Sequence, residues 1–151
     1  LVKPDSRGWL RLRSKKPSDA PIIDLGYFTN TNDMPCMTEG VRVARHLSKT
    51  PPLSDFVIKE VYPGIEVSDD IKDLENTILP AAATYHHPVG TCRMGPATDK
   101  MAVVNAHGSV HEVTGLYAID ASIMPTIPAA NTNIPTIMIA ERCTAWLIDE
   151  V

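Results

Sequence analysis

The chain has 151 residues, 44% hydrophobic and 21% charged, with a formal net charge of −4. That length suits one globular unit with a sizeable core, and no polybasic run marks a nucleic-acid or anionic-lipid partner. The longest apolar stretch, Ile134 to Ile148, is interrupted by Glu141, Arg142 and Thr144 and is too short and polar to span a bilayer.

Three cysteines, Cys36, Cys92 and Cys143, are an odd set without close spacing. They fit reduced thiols in a cytoplasmic setting better than a disulfide framework. The sequence opens on Leu1 with neither methionine nor a basic and apolar leader, so it reads as a piece of a longer polypeptide.

In "GWLRLRS", Leu10 and Leu12 alternate with Trp9, Arg11 and Arg13. This pattern predicts a half-buried strand in an antiparallel sheet. Proline and serine in "KKPSDAP" make a turn, and "IIDLGYF" returns as a second extended segment. From Asn32 the period changes: Met34, Met37, Val41, Ala44 and Leu47 recur at helical spacing. A short helical turn follows Ser54 and stops at Pro63 and Gly64. The next helix takes Ser68 as N-cap and Asp69 and Asp70 in its first turn, with Ile71, Leu74 and Ile78 as its apolar face.

Beyond Pro80 the pattern gives a histidine-bearing loop, a polar turn at "GPATDK", a strand at "AVVN", a loop to Gly115 and a strand at "LYAID" that ends on Asp120. A last helix begins at Asn133 as N-cap, carries Pro135 in its first turn and is apolar on most sides as far as Leu147. It is expected to be largely buried. Thirteen prolines stiffen the loops. Loops this long call for something else to pack on them.

"TYHHPVGTCRMG" places His86 and His87 side by side. A loop histidine is most often a satisfied polar residue. A zinc site could draw on His107 and His111 with His86, His87 or Cys92, although Gly108 and the "VTG" turn argue against a helix that would align the first two. A Cys92 and His87 nucleophile pair lacks an oxyanion-hole signal.

The strings "SRGWLRLRS", "HHPVGTCRMG" and "LYAIDASIMPTIPAANTNIPTIMIAERC", in that order over nearly the whole chain, resemble the glucose-methanol-choline (GMC) oxidoreductases in their C-terminal half. Histidine-proline at the first site and asparagine at the second are similar to the choline dehydrogenase branch, whereas glucose oxidase-like members of the family carry a second histidine at the second site. The resemblance implies an α+β fold: an antiparallel sheet with packed helices, then a returning strand and a C-terminal helix of the FAD-binding domain. Residues 1–85 would be part of the substrate-binding domain. Residues 86–151 would supply catalytic loops, strand and helix, with the N-terminal FAD-binding half absent.

Carried over by motif, the catalytic histidine is His87, over the flavin beside a small alcohol substrate, and the second catalytic position falls on Asn131. His86, on an extended segment, would direct its ring to the other side. "DAS" becomes a cofactor contact through Asp120 and Ala121, and the helix start at Asn133 and Ile134 points its positive end toward the flavin. Asp120 has a competing role as a turn cap. Arg93, Met94 and Gly95 read as structural, and Cys92 as a small packed side chain.

These residue types suit the chemistry on general grounds. Oxidising an alcohol by hydride transfer needs a base of near-neutral pKa for the hydroxyl proton, which histidine supplies. The developing alkoxide needs a donor that does not compete as a base, which an asparagine amide supplies. No G-x-G-x-x-G follows a strand, so the part that would hold the ADP moiety lies elsewhere. Two alternatives stand beside the oxidoreductase: a flavin-containing hydroxynitrile lyase of the same fold, and a non-catalytic remnant domain.

Overall fold

The computed structural model describes residues 1–149. Two short strands, β1 (Trp9–Arg11) and β2 (Ile22–Asp24), pair antiparallel with Leu10 opposite Ile23. They are followed by helices α1 (Asp33–Ser48), α2 (Ile71–Ala81) and α3 (Asn133–Asp149). Single 3-10 turns lie at Leu53–Asp55 and Ala121–Ile123. The chain is thus a small α+β protein. Where its length suggests one unit, it divides into two compact ones: Lys3–Arg11 with Ile22–Thr84, and Leu12–Pro21 with the chain from Tyr85 onward.

In the first unit the strand pattern is realised without the burial expected of it. All residues of β1 and β2 are exposed, Leu10 included. A two-stranded ribbon has no third strand or covering layer of its own. Gly8 is required at its start, because a Cβ there would lie 2.1 Å from the Asp24 carbonyl oxygen.

The core of this unit is Met34 on α1 against Leu74 and Ile78 on α2, with Phe28, Met37, Val41 and Val67 around them. The predicted stripe on α1 is only partly used, since Ala44 and Leu47 are exposed. Helix α2 starts later than Ser68: Asp70 caps it by accepting the Lys72 N–H at 2.8 Å, and Ser68 instead accepts from the Asp70 N–H at 3.1 Å. Arg45 binds Glu60 through Nε and Nη2 at 2.8 to 3.0 Å and donates to the Gly64 carbonyl at 2.9 Å. Those bonds from Arg45 hold the Glu60 carboxyl below the ordinary range.

The second unit is built largely of loops around Val104, Ile123, Met124, Ile139 and Cys143. The strands expected at "AVVN" and "LYAID" shrink to isolated bridges: Val104 pairs with Met94 and Val110, and Tyr117 with Ser109. Loop-to-loop bonds do the work of a ladder. The N–H groups of Gly90, Cys92 and Met94 donate to the carbonyls of Ala121, Ser122 and Ile123 at 3.4, 3.0 and 2.8 Å. Helix α3 buries Ile139 and Cys143 but leaves Ile134, Ile137, Met138 and Ile148 exposed, so the expectation of a largely buried helix is corrected. Burial pushes the Cys143 thiol up. No helix among the described residues is long and apolar enough to cross a membrane.

Candidate active site

The loop that carries the histidines is fastened downstream by the Gly90, Cys92 and Met94 bonds to residues 121–123. Upstream of that fastening, His87 Nδ1 lies 3.0 Å from the carbonyl oxygen of His86. A carbonyl accepts and cannot donate, so in the neutral ring Nδ1 carries the hydrogen and Nε2 holds a bare lone pair. Nε2 is buried and has no hydrogen-bond partner among the described residues. A buried unpaired acceptor costs on the order of 1–3 kcal/mol and calls for an explanation, a catalytic role among them. Tyr85 packs edge-on against the same ring, centroids 5.1 Å apart at 88°.

The extended segment expected here does not form, because His86 has a φ of 60°, in the left-handed region. Both histidines line one open cleft of about 340 Å³ together with Thr132, Asn133, Thr136 and Ile137. Asn133, Thr136 and Ile137 stand at i, i+3 and i+4 of α3 and therefore share a face.

Asn131, the expected second catalytic residue, is exposed and is not among the residues lining the cleft, whereas Asn133 is. Asn133 is also the first residue of α3 and not its cap. Thr132 takes the cap position, its carbonyl accepting the Thr136 N–H at 2.9 Å and the Thr136 hydroxyl at 2.7 Å. The roles of Thr132, Thr136 and Ile137 escaped the sequence reading. Their one signal was the helical spacing of Asn133, Thr136 and Ile137.

Asp120 caps the turn Ala121–Ile123 by accepting the Ser122 N–H at 2.7 Å. The same turn hands the Ala121 carbonyl to Gly90, so the expected cofactor contacts and the histidine loop are joined through backbone. Arg93 pairs with Asp99 at 2.7 Å, and a Cβ on Gly95 would meet Ala102 at 2.9 Å, which accounts for both as structural residues.

His107 stacks on Trp146 at 4.4 Å, with Arg142 also 4.6 Å from that ring. His111 Nε2 donates to the Gly95 carbonyl at 3.1 Å. Among the described residues no three His, Cys, Asp or Glu side chains converge on one point. A second cleft of about 530 Å³ beside Met94 to Ala97 is nearly all apolar, and its histidine, His111, is already bonded.

The family model described as GMC oxidoreductase matches residues 4–140. The chain is 42% identical over 137 residues to oxygen-dependent choline dehydrogenase 1 of Chromohalobacter salexigens, covering 91% of this chain and 24% of that protein. It is 41% identical over 140 residues to choline oxidase of Arthrobacter globiformis, covering 91% and 26%. The fold resembles pyridoxine 4-oxidase from Mesorbium loti with a TM-score of 0.85 and 30% identity, over 96% of this chain and 28% of that one. It resembles formate oxidase of Aspergillus oryzae with a TM-score of 0.87 and 30% identity, over 99% and 26%. The chain spans about a quarter of the length of the curated relatives it matches.

Proposed function

The chain belongs to the GMC oxidoreductase family, and from that premise we propose that it is the C-terminal part of an FAD-dependent enzyme that oxidises the CH–OH group of a small alcohol. The observation that carries this reading is the buried Nε2 of His87, without a hydrogen-bond partner among the described residues, on a residue that lines a cleft with Asn133. The relatives named above are dehydrogenases and oxidases, which favours redox chemistry over the lyase reaction and over a non-catalytic role. A partner supplying the N-terminal FAD-binding half, as the continuing chain or as a second one, completes the protein in this proposal.

A substrate hydroxyl that donates to Nε2 satisfies the orphaned nitrogen and places its proton where His87 takes it up. The amide N–H of Asn133 then donates to the oxygen as negative charge develops. Asn133 is preferred to Asn131 for this donor because it lines the cleft with the base. Bound FAD supplies the hydride acceptor.

The residues present fit that cofactor. The first N–H groups of α3, at Asn133 and Ile134, have no partners within the helix and offer its positive end, worth about 1 kcal/mol to a nearby negative charge. Ile134 adds an exposed apolar side chain there. Asp120 and Ala121, fastened to the histidine loop, would hold the ribityl side. Residues 1–85 would shape the substrate side. The choline-named relatives make a quaternary-ammonium alcohol the first substrate class to test. None of the cleft residues is acidic, so a carboxylate for such a cation must come from outside this cleft.

The test is anaerobic flavin reduction by alcohol in the full-length protein. His87→Ala should slow it about 10²- to 10⁴-fold, and far more than His86→Ala does. Asn133→Ala should slow it more than Asn131→Ala. Equal losses at the two histidines would move the base, and a larger loss at Asn131 would restore that residue as the second catalytic group.

A further inference from the structure

We infer that His86 is a specificity-determining residue that selects against a cationic alcohol: the proton it takes up disfavours a quaternary-ammonium substrate relative to an uncharged one of the same shape. The inference deepens the proposed function and rests on its assignment of His87 as base. The choline-named relatives suggest the cation as a first substrate, whereas this chain's own cleft residues point the other way.

A quaternary ammonium group is held by the faces of aromatic rings or by a carboxylate. The cleft is lined by His86, His87, Thr132, Asn133, Thr136 and Ile137, which supply no Asp, Glu, Phe, Tyr or Trp. Tyr85 is next to His86 in the chain but is not among the lining residues, and its ring packs edge-on against His87. The electrostatic features that are present have the opposite sign. Asn133 begins α3, so the positive end of that helix opens at the cleft wall. His86 is exposed and exchanges its proton with solvent. Whichever way its ring turns, the charge it takes up stays within a side chain's length of the cleft. Of the other lining residues only His87 titrates, and α3 contributes no charged side chain to the lining.

The two histidines are separable by kinetics. Only molecules with a neutral His87 can accept the substrate proton, so kcat/KM for any alcohol reports that population alone. A ratio of kcat/KM values for two alcohols therefore cancels the titration of the base, and a pH dependence that survives in the ratio belongs to another group. His86 has a φ of 60°. Asparagine and aspartate, like histidine, tolerate left-handed backbone better than other residues with a Cβ, so they change the charge at this position with least disturbance of the loop.

The experiment compares choline with the uncharged isostere in which a tert-butyl group replaces the trimethylammonium group. Values of kcat/KM are measured between about pH 5.5 and 8 in full-length, flavin-loaded wild type, His86→Asn and His86→Asp, with flavin content confirming that each variant is intact. In wild type the ratio of the neutral alcohol to choline is expected to rise roughly two- to tenfold as pH falls, the size expected for unit charges several ångströms apart in a solvated setting. The ratio should be flat in His86→Asn, and in His86→Asp it should lie below the His86→Asn value. A ratio that is flat in wild type, or that rises equally in wild type and His86→Asn, overturns the inference while leaving a slow His87→Ala, and hence the base, intact. Identical ratios in His86→Asn and His86→Asp also overturn it, because a charge at this position would then go unfelt by the substrate. A His87→Ala protein as fast as wild type would remove the base itself and the premise with it.

Discussion

Proline at position 88 decides which of two adjacent histidines can bend, and that choice is legible in the sequence only in part. The restriction on His87 follows from residue types alone. The left-handed turn at His86 does not, because side-chain alternation assumes extended backbone and a positive φ is uncommon outside glycine. Periodicity therefore assigns to opposite sides two residues that line one cleft. A second residue-scale feature lies at Asp33, where an acidic side chain is only 3% exposed. It accepts the N–H groups of Asp5 and Ser6 at 2.7 and 2.9 Å. Burial pushes its carboxyl up, but hydrogen bonds from Ser6 and Asp5 and the charge of Arg7 outweigh that and hold it below the ordinary value. A depressed folded-state pKa stabilises above the unfolded value, and the contribution is lost as pH falls through the folded one. Asp33→Ala should cost about 1–3 kcal/mol near neutral pH by leaving two amides unpaired. In denaturant melts the gap between wild type and Asp33→Asn should narrow below roughly pH 4. A gap that stays constant down to acid unfolding would show that the carboxylate charge contributes nothing.

At the scale of elements, α1 and α2 are legible because their apolar residues recur at helical spacing and meet each other: Met34 faces Leu74 and Ile78. The start of α2 was misplaced by two residues since Ser68, Asp69 and Asp70 are all acceptable caps by type, and only the bond to Lys72 selects Asp70. The strands at "AVVN" and "LYAID" failed for a different reason. Short apolar runs satisfy either a ladder or a loop, and here Val104, Ile119 and Ala118 enter the core from loops joined by single bridges. Leu74 is fully buried between the two helices, so Leu74→Ala should destabilise the first unit by about 2–5 kcal/mol. Thermal or urea unfolding followed by circular dichroism checks this. A cost below 1 kcal/mol would mean that α1 collapses onto α2 and fills the space.

Over the whole molecule, the apolar surface is what sequence and structure together make interpretable. Ile58 is 97% exposed and Ile134 78%, and both strands of the ribbon are uncovered. The sequence signalled this indirectly, through long loops that call for a covering body, but periodicity could not foretell that α3 would leave Ile134, Ile137, Met138 and Ile148 exposed. Exposed apolar residues on each unit fit the proposal that a further part of the protein covers them, and the curated relatives are about four times as long as this chain. No glycine-rich dinucleotide fingerprint lies in the sequence, so the flavin contacts proposed here, Asp120, Ala121, Asn133 and Ile134, reach only part of the cofactor. Anion-favouring helix ends contribute about 1 kcal/mol, far short of the roughly 8 kcal/mol that micromolar binding requires. The 151 residues expressed alone should therefore purify colourless and fail to oxidise alcohols. Co-expression with the N-terminal FAD-binding half should give a yellow complex that alcohol bleaches under anaerobic conditions. Absorbance spectra of the two preparations decide the matter: stoichiometric flavin on the 151 residues alone would mean that they contain a complete cofactor site, and that the division of labour proposed for the two halves is wrong.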